Sequence, residues 1–160
     1  MQTTIALNKT ERVADLYAAF GRGDISYIID HIADNCEWVT PAAGLLPQGG
    51  TYIGKEAVNF FNNLVGALEF NAFEPLAILP AGEDEVVAYG RMTCTSRKTG
   101  KQMGSDWAMR WRFNADGKVV FFHDFYDTAG AMREILDNAR CHIQQKPRCD
   151  ATQDHSCKAT

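Results

Sequence analysis

The chain lacks a basic block: 16 Lys and Arg stand against 20 Asp and Glu, a formal net charge of −4 over 160 residues. Phosphate backbones are met by clustered positive charge, so no nucleic-acid partner is expected. No apolar run approaches the ~20 residues of a membrane helix, and Met1 to Lys9 has no basic stretch leading into an apolar one, as a secretory leader would. A cytoplasmic protein without a membrane partner is the expectation. The five cysteines (Cys36, Cys94, Cys141, Cys149, Cys157) are odd in number and form no C-x-x-C pair, which fits reduced thiols better than a disulfide framework. A metal site drawn from Cys141, His142, Cys149, His155 and Cys157 would match none of the zinc spacings, so no metal is expected. The phosphate-binding loop, the dinucleotide glycine pattern, H-E-x-x-H and G-x-S-x-G are all missing. Gly21-Arg22-Gly23 reads as a turn between helices, and no cofactor is implied.

What is present is enough apolar material, 46% of residues against 22% charged, to build the core of a single domain. We place that domain at residues 1–145 and a polar tail at 146–160. Val13, Leu16, Tyr17 and Phe20 recur at helical spacing, which predicts a helix over Thr10 to Phe20 stopped at Gly21. Asp24 caps a second helix whose apolar positions are Ile25, Ile28, Ile29 and Ile32, running to Ala33. Cys36 to Thr40 has strand character and ends at Pro41. A Gly/Pro-containing loop then extends to Gly54. Val58, Phe61, Leu64 and Val65 mark a third helix. Strands are predicted over Phe70–Leu79, Glu85–Arg97, Gln102–Phe113 and Lys118–Asp127, with hairpin turns at Gly100 and at Asn114 to Gly117. A last helix carries Met132, Ile135, Leu136, Ala139 and Ile143 on its apolar face.

Helices followed by a run of hairpin-linked strands give an α+β fold, a cone-shaped curved antiparallel sheet with helices packed on its concave side. The chain has seventeen aromatics, and seven of them fall between Trp107 and Tyr126. There Trp107, Met109, Trp111 and Phe113 alternate with Asp106, Ala108, Arg110 and Arg112, so the bulky groups point into the cone. Val119 to Tyr126 is apolar on both faces apart from His123 and Asp124. A strand of that kind predicts a second subunit against the outer face, and a homodimer is expected.

Several segments together resemble the nuclear transport factor 2-like superfamily, which includes ketosteroid isomerases, limonene-epoxide hydrolases and SnoaL-type polyketide cyclases. They are Gly23-Asp24-Ile25 in the helical hairpin, Ala33 to Pro41, Gly50 to Ala57 opening the third helix, and His123 to Ala129. The resemblance spans Thr10 to Leu136 and implies the cone fold. It does not imply one reaction, because the fold carries many chemistries and non-catalytic binders.

Matched to the ketosteroid isomerases, the base position falls on Thr40, the oxyanion-hole tyrosine on Leu16, with Tyr17 one residue away, and the oxyanion aspartate on Met109. That constellation is lost. Matched to the epoxide hydrolases, the arginine falls on Arg91, its aspartate partner on Thr93, and the water-holding pair on Trp38 and Thr40. The last-strand aspartate of the hydrolases and cyclases is retained as Asp124. Asp124, on one face with Phe122 and Tyr126, is therefore the candidate catalytic acid or base, with Arg91 to orient it or stabilise negative charge. The competing reading is a structural ion pair between the two. Tyr17, Trp38, Thr40, Trp107, Met109, Trp111, Phe122 and Tyr126 are the candidate ligand-binding residues, and a small apolar molecule is the expected partner. His123 is assigned to the dimer face and Asp127 to a helix cap. Two functions stay open: a cofactor-independent isomerase, cyclase or hydrolase acting on an apolar carbonyl compound, and a non-catalytic binding or scaffold protein.

Overall fold

A computed structural model of the chain describes residues 8–136. Helix α1 (Lys9–Gly21) starts at Asn8, whose side chain accepts from the Glu11 N–H while Glu11 reaches back to the Asn8 N–H, a reciprocal capping box. Helix α2 (Ile25–Asp30) is capped by Asp24. It is shorter than its apolar spacing predicts, because Ile32 and Ala33 already belong to strand β1 (Ile32–Thr40). Strand β2 (Gly50–Ile53) lies at the end of the stretch expected to be loop, and a single 3₁₀ turn then leads into α3 (Ala57–Ala67).

The remaining strands are β3 (Leu68–Pro80), β4 (Glu85–Ser96), β5 (Gln102–Phe113) and β6 (Val119–Tyr126), followed by α4 (Thr128–Ile135). They form one curved, unclosed sheet in the order β2-β1-β6-β5-β4-β3. Neighbours are antiparallel except β1 and β6, which run parallel. The sheet is thus mixed where an antiparallel one was expected, because the chain leaves β1 and returns beside it only after building the other four strands. Pro75 is accommodated in β3 because β3 is an edge strand with a register shift between Pro75 and Ala77.

Helices α1 and α3 and the C-terminal α4 cover the concave face, where Leu16, Tyr17, Phe60, Phe61 and Ile135 meet Trp38, Trp107, Trp111 and Phe122. Burying large aromatics supplies most of the hydrophobic stabilisation of such a core. No helix among the described residues is long and apolar enough to cross a membrane. The expected helix positions Ala139 and Ile143, the boundary at 145–146 and the cysteines and histidines of the tail lie outside the described residues.

Candidate functional site

Three strands build the site, and their registers determine which side chains meet. In β5 and β6 alternate residues face inward, and the antiparallel register sets Trp111 beside Phe122, Met109 beside Asp124 and Trp107 beside Tyr126. The parallel register of β1 sets Trp38 beside Phe122, and their rings stack at 3.8 Å between centroids. Two residues further along both strands, Thr40 reaches Asp124, and its Oγ1 donates to Asp124 Oδ2 at 3.4 Å. Trp107 lies flat against Phe73, at 4.7 Å and 2° between planes. Gly90 makes room for it, since a Cβ there would stand 2.5 Å from the Trp107 ring and 2.1 Å from the Glu74 carbonyl oxygen.

Asp124 is 5% exposed, and Oδ1 has no hydrogen-bond partner among the described residues. Burial pushes its carboxyl up to about 7 against the opposing pull of the Thr40 hydroxyl. Both protonation states are therefore accessible near neutral pH, as a general acid or base requires. Burial, and secondarily the Asp124 charge, also raises Tyr126 to about 12. The Tyr17 hydroxyl accepts from Trp111 Nε1 at 3.0 Å and donates to Met109 Sδ at 3.3 Å. It is raised well above the ordinary phenol range, chiefly by burial, so it is a neutral group already committed to protein partners.

These side chains enclose a cavity of about 70 Å³, lined by Tyr17, Trp38, Trp107, Met109, Trp111, Phe122, Asp124 and Tyr126 together with Gln48. Thr40 is buried behind Asp124 and is the one expected binding residue that does not line it. The volume is well below the ~300 Å³ at which drug-sized pockets begin. Met92, Met103 and Met109 are in its wall, and flexible thioether chains can repack to admit a larger molecule.

Arg91 is not part of this arrangement. In β4 the buried positions are Val86, Ala88, Gly90, Met92, Cys94 and Ser96, so the period of two turns Arg91 to the outer face. There its side chain is 63% exposed and its Nε bonds Glu74 Oε2 at 2.7 Å. The expected pairing with Asp124 is therefore corrected: the alternation along β4, which the matching of residue types does not take into account, sends the guanidinium to the other side of the sheet. His123 also faces outward, with its ring 4.1 Å from that of Phe125. Asp127 caps α4, accepting from the Gly130 N–H at 2.9 Å.

Gln48 was not anticipated. It is 2% exposed and its Nε2 donates to the Tyr126 hydroxyl at 3.2 Å. Nothing in Pro47-Gln48-Gly49 distinguishes it from an ordinary loop residue. Among the described residues no group of three or more His, Cys, Asp or Glu side chains can hold a metal ion.

Residues 13–122 match the family described as a SnoaL-like domain. The chain belongs to that family. The match of this SnoaL-like protein stops two residues short of Asp124, so the family assignment rests on the scaffold. Among solved structures, an NTF2-like protein from Burkholderia thailandensis is 31% identical at a TM-score of 0.73, covering 82% of this chain and 99% of that one. An NTF2-like protein of unknown function from Burkholderia pseudomallei is 26% identical at 0.71, covering 82% and 100%. TerC, co-crystallised with polyporic acid, is 27% identical at 0.68, covering 81% and 98%. No curated protein matches the chain.

Proposed function

We propose that this SnoaL-like protein is a cofactor-independent acid–base enzyme for a small, largely apolar, carbonyl-bearing molecule, with Asp124 as the proton-transfer group. The observation that carries the reading is a buried carboxyl, with one oxygen bonded by Thr40 and the other without a partner among the described residues, in the wall of an apolar cavity. Ionised Asp124 would take a proton from the carbon next to the carbonyl, and the C–H electron pair would move to the carbonyl oxygen. Return of the proton at a conjugated carbon, or at the opposite face of the same carbon, completes an isomerisation; in a cyclisation the enolate carbon attacks a second carbonyl of the same molecule, the π pair of that carbonyl moves to its oxygen, and this oxygen takes the proton from Asp124. The indole N–H groups of Trp38 and Trp107, two residues of the cavity wall, are buried without an acceptor among the described residues and would serve as donors to the enolate oxygen. The TerC neighbour, co-crystallised with polyporic acid, supports a small-molecule occupant for this scaffold.

The test is a thermal-shift screen of steroid, terpenoid and polyketide-like ketones against wild type and Asp124→Asn. Stabilising ligands are then followed in D₂O for exchange of the protons next to the carbonyl. Exchange by wild type and none by Asp124→Asn is the expected outcome. Equal stabilisation of both forms with no exchange by either would select the second reading, a binder without chemistry, which the committed Tyr17 hydroxyl favours.

The outer face supports a homodimer within the same proposal. Tyr89, Ala108 and Phe125 form one row across β4, β5 and β6, and the two aromatics are 48% and 49% exposed. The free buried thiols Cys36 and Cys94 fit residence in a reducing cytoplasm.

A further inference from the structure

The loop over residues 41–49 is tightly closed on itself. The Leu45 and Leu46 N–H groups both donate to the Ala42 carbonyl at 3.0 Å, and the Gly49 N–H donates to the Leu46 carbonyl at 3.0 Å. Ala42 adopts a left-handed φ of 63°, uncommon for a residue with a Cβ. Gly49 passes so near the Pro41 and Ala42 backbone that a Cβ would come within 2.2 Å of the Ala42 oxygen. This closure turns Leu46 and Gln48 inward, to 4% and 2% exposure.

Gln48 is then held from two directions. The Tyr52 hydroxyl donates to its backbone carbonyl at 3.1 Å, and its own Nε2 donates to the Tyr126 hydroxyl. In this orientation of the amide the nitrogen is engaged by Tyr126 and the oxygen is left without a donor among the described residues. Oε1 is buried with no partner among the described residues, in a residue that lines the same cavity as Asp124. A buried acceptor without a donor costs stability, and native proteins rarely leave one unless something binds it.

We infer that Gln48 Oε1 is a ligand-binding acceptor and that the ligand of this cavity carries a hydroxyl or N–H donor in addition to its carbonyl group. The inference rests on the cavity being the ligand site proposed above. Two features set the class: the unpartnered acceptor Gln48 Oε1 and walls of stacked aromatics. A conjugated carbonyl compound with a ring hydroxyl satisfies both, whereas the same compound with its hydroxyl capped leaves the amide oxygen buried and unpaired. Sites built to receive a hydrogen bond discriminate strongly against analogues that lack it.

The probes are para-hydroxyacetophenone and para-methoxyacetophenone, with dissociation constants read from tryptophan fluorescence, since all three tryptophans line the cavity. Wild type should bind the hydroxy compound about tenfold more tightly. Gln48→Met should equalise the two, Gln48→Glu should restore the preference by supplying a carboxyl oxygen, and Asp124→Asn should keep it. Gln48→Leu replaces Gln48→Met if that variant does not fold. A wild type that binds neither compound, or both equally, overturns the inference. So does a preference that survives the apolar substitutions, including one that disappears instead in Asp124→Asn, which would place the hydroxyl on the aspartate. An intact preference with no proton exchange on any ketone would leave the Gln48 assignment standing and sink the acid–base reading alone.

Discussion

Replacing Asp124 by Asn tests the electrostatic argument without any knowledge of the ligand. Asn keeps an acceptor for Thr40 and reproduces the shape of the protonated acid, but it cannot ionise. In the folded protein the carboxyl titrates at about 7, and in the unfolded chain at its ordinary 3.8. Below pH 3.8 both states hold the proton and the group's contribution to stability is fully present. Between 3.8 and 7 only the folded state holds it, so stability falls as pH rises and levels off above 7. The complete loss is about 4 kcal/mol at 1.36 kcal/mol per pH unit. Between pH 4.5 and pH 8 the wild type should therefore lose about 3 kcal/mol relative to Asp124→Asn. That corresponds to a gap in Tm that widens by about 6–12 °C for a domain of this size. Urea unfolding of both proteins at the two pH values measures it. A difference in stability that stays constant with pH would refute the reasoning, because it would mean that the carboxyl is solvated or paired in the folded state.

Removing the Thr40 hydroxyl with Thr40→Val withdraws the donor that opposes burial, so the Asp124 titration should move up by about one pH unit; carboxyl carbon NMR reads it directly, and a downward move would contradict the assignment. Gly90→Ala drives a methyl group into the Glu74 carbonyl and the Trp107 ring, and an overpacked site of this kind should lose about 1–3 kcal/mol in denaturant titration; a loss under half a kilocalorie would show that the ring is not seated against the strand. Phe125→Glu places a charge in the exposed aromatic row of the outer face. Sedimentation velocity should find a dimeric wild type and a monomeric variant, and a wild type that is monomeric at micromolar concentration would remove the dimer proposal.

Which faces exist is settled locally. Periodicities of two and of 3.6 are written into neighbouring residues, so the inward row Trp107, Met109, Trp111 and the row Phe122, Asp124, Tyr126 were legible before any strand was paired. The same holds for the apolar stripe of α1 and the turn at Gly117. The segments quoted for the family resemblance follow these local patterns, which is why the fold was readable over most of the described chain while the reaction was not.

Which faces meet depends on long-range packing. The parallel pairing of β1 with β6 brings Thr40 to Asp124, and no local pattern specifies whether two strands distant in sequence run the same way. Arg91 divides between the two: the local alternation of β4 already turns it away from Asp124, and the pairing of β3 with β4 supplies Glu74 as its partner. Gln48 had no sequence signal because its burial comes from the closure of a loop over its own backbone, an event that depends on Gly49 and Ala42 adopting conformations their neighbours do not encode. Register and loop closure are long-range choices made by packing free energy. The inward-facing aspartate was a property of the strand, but its isolation from charge and its contact with Thr40 belong to the assembled sheet.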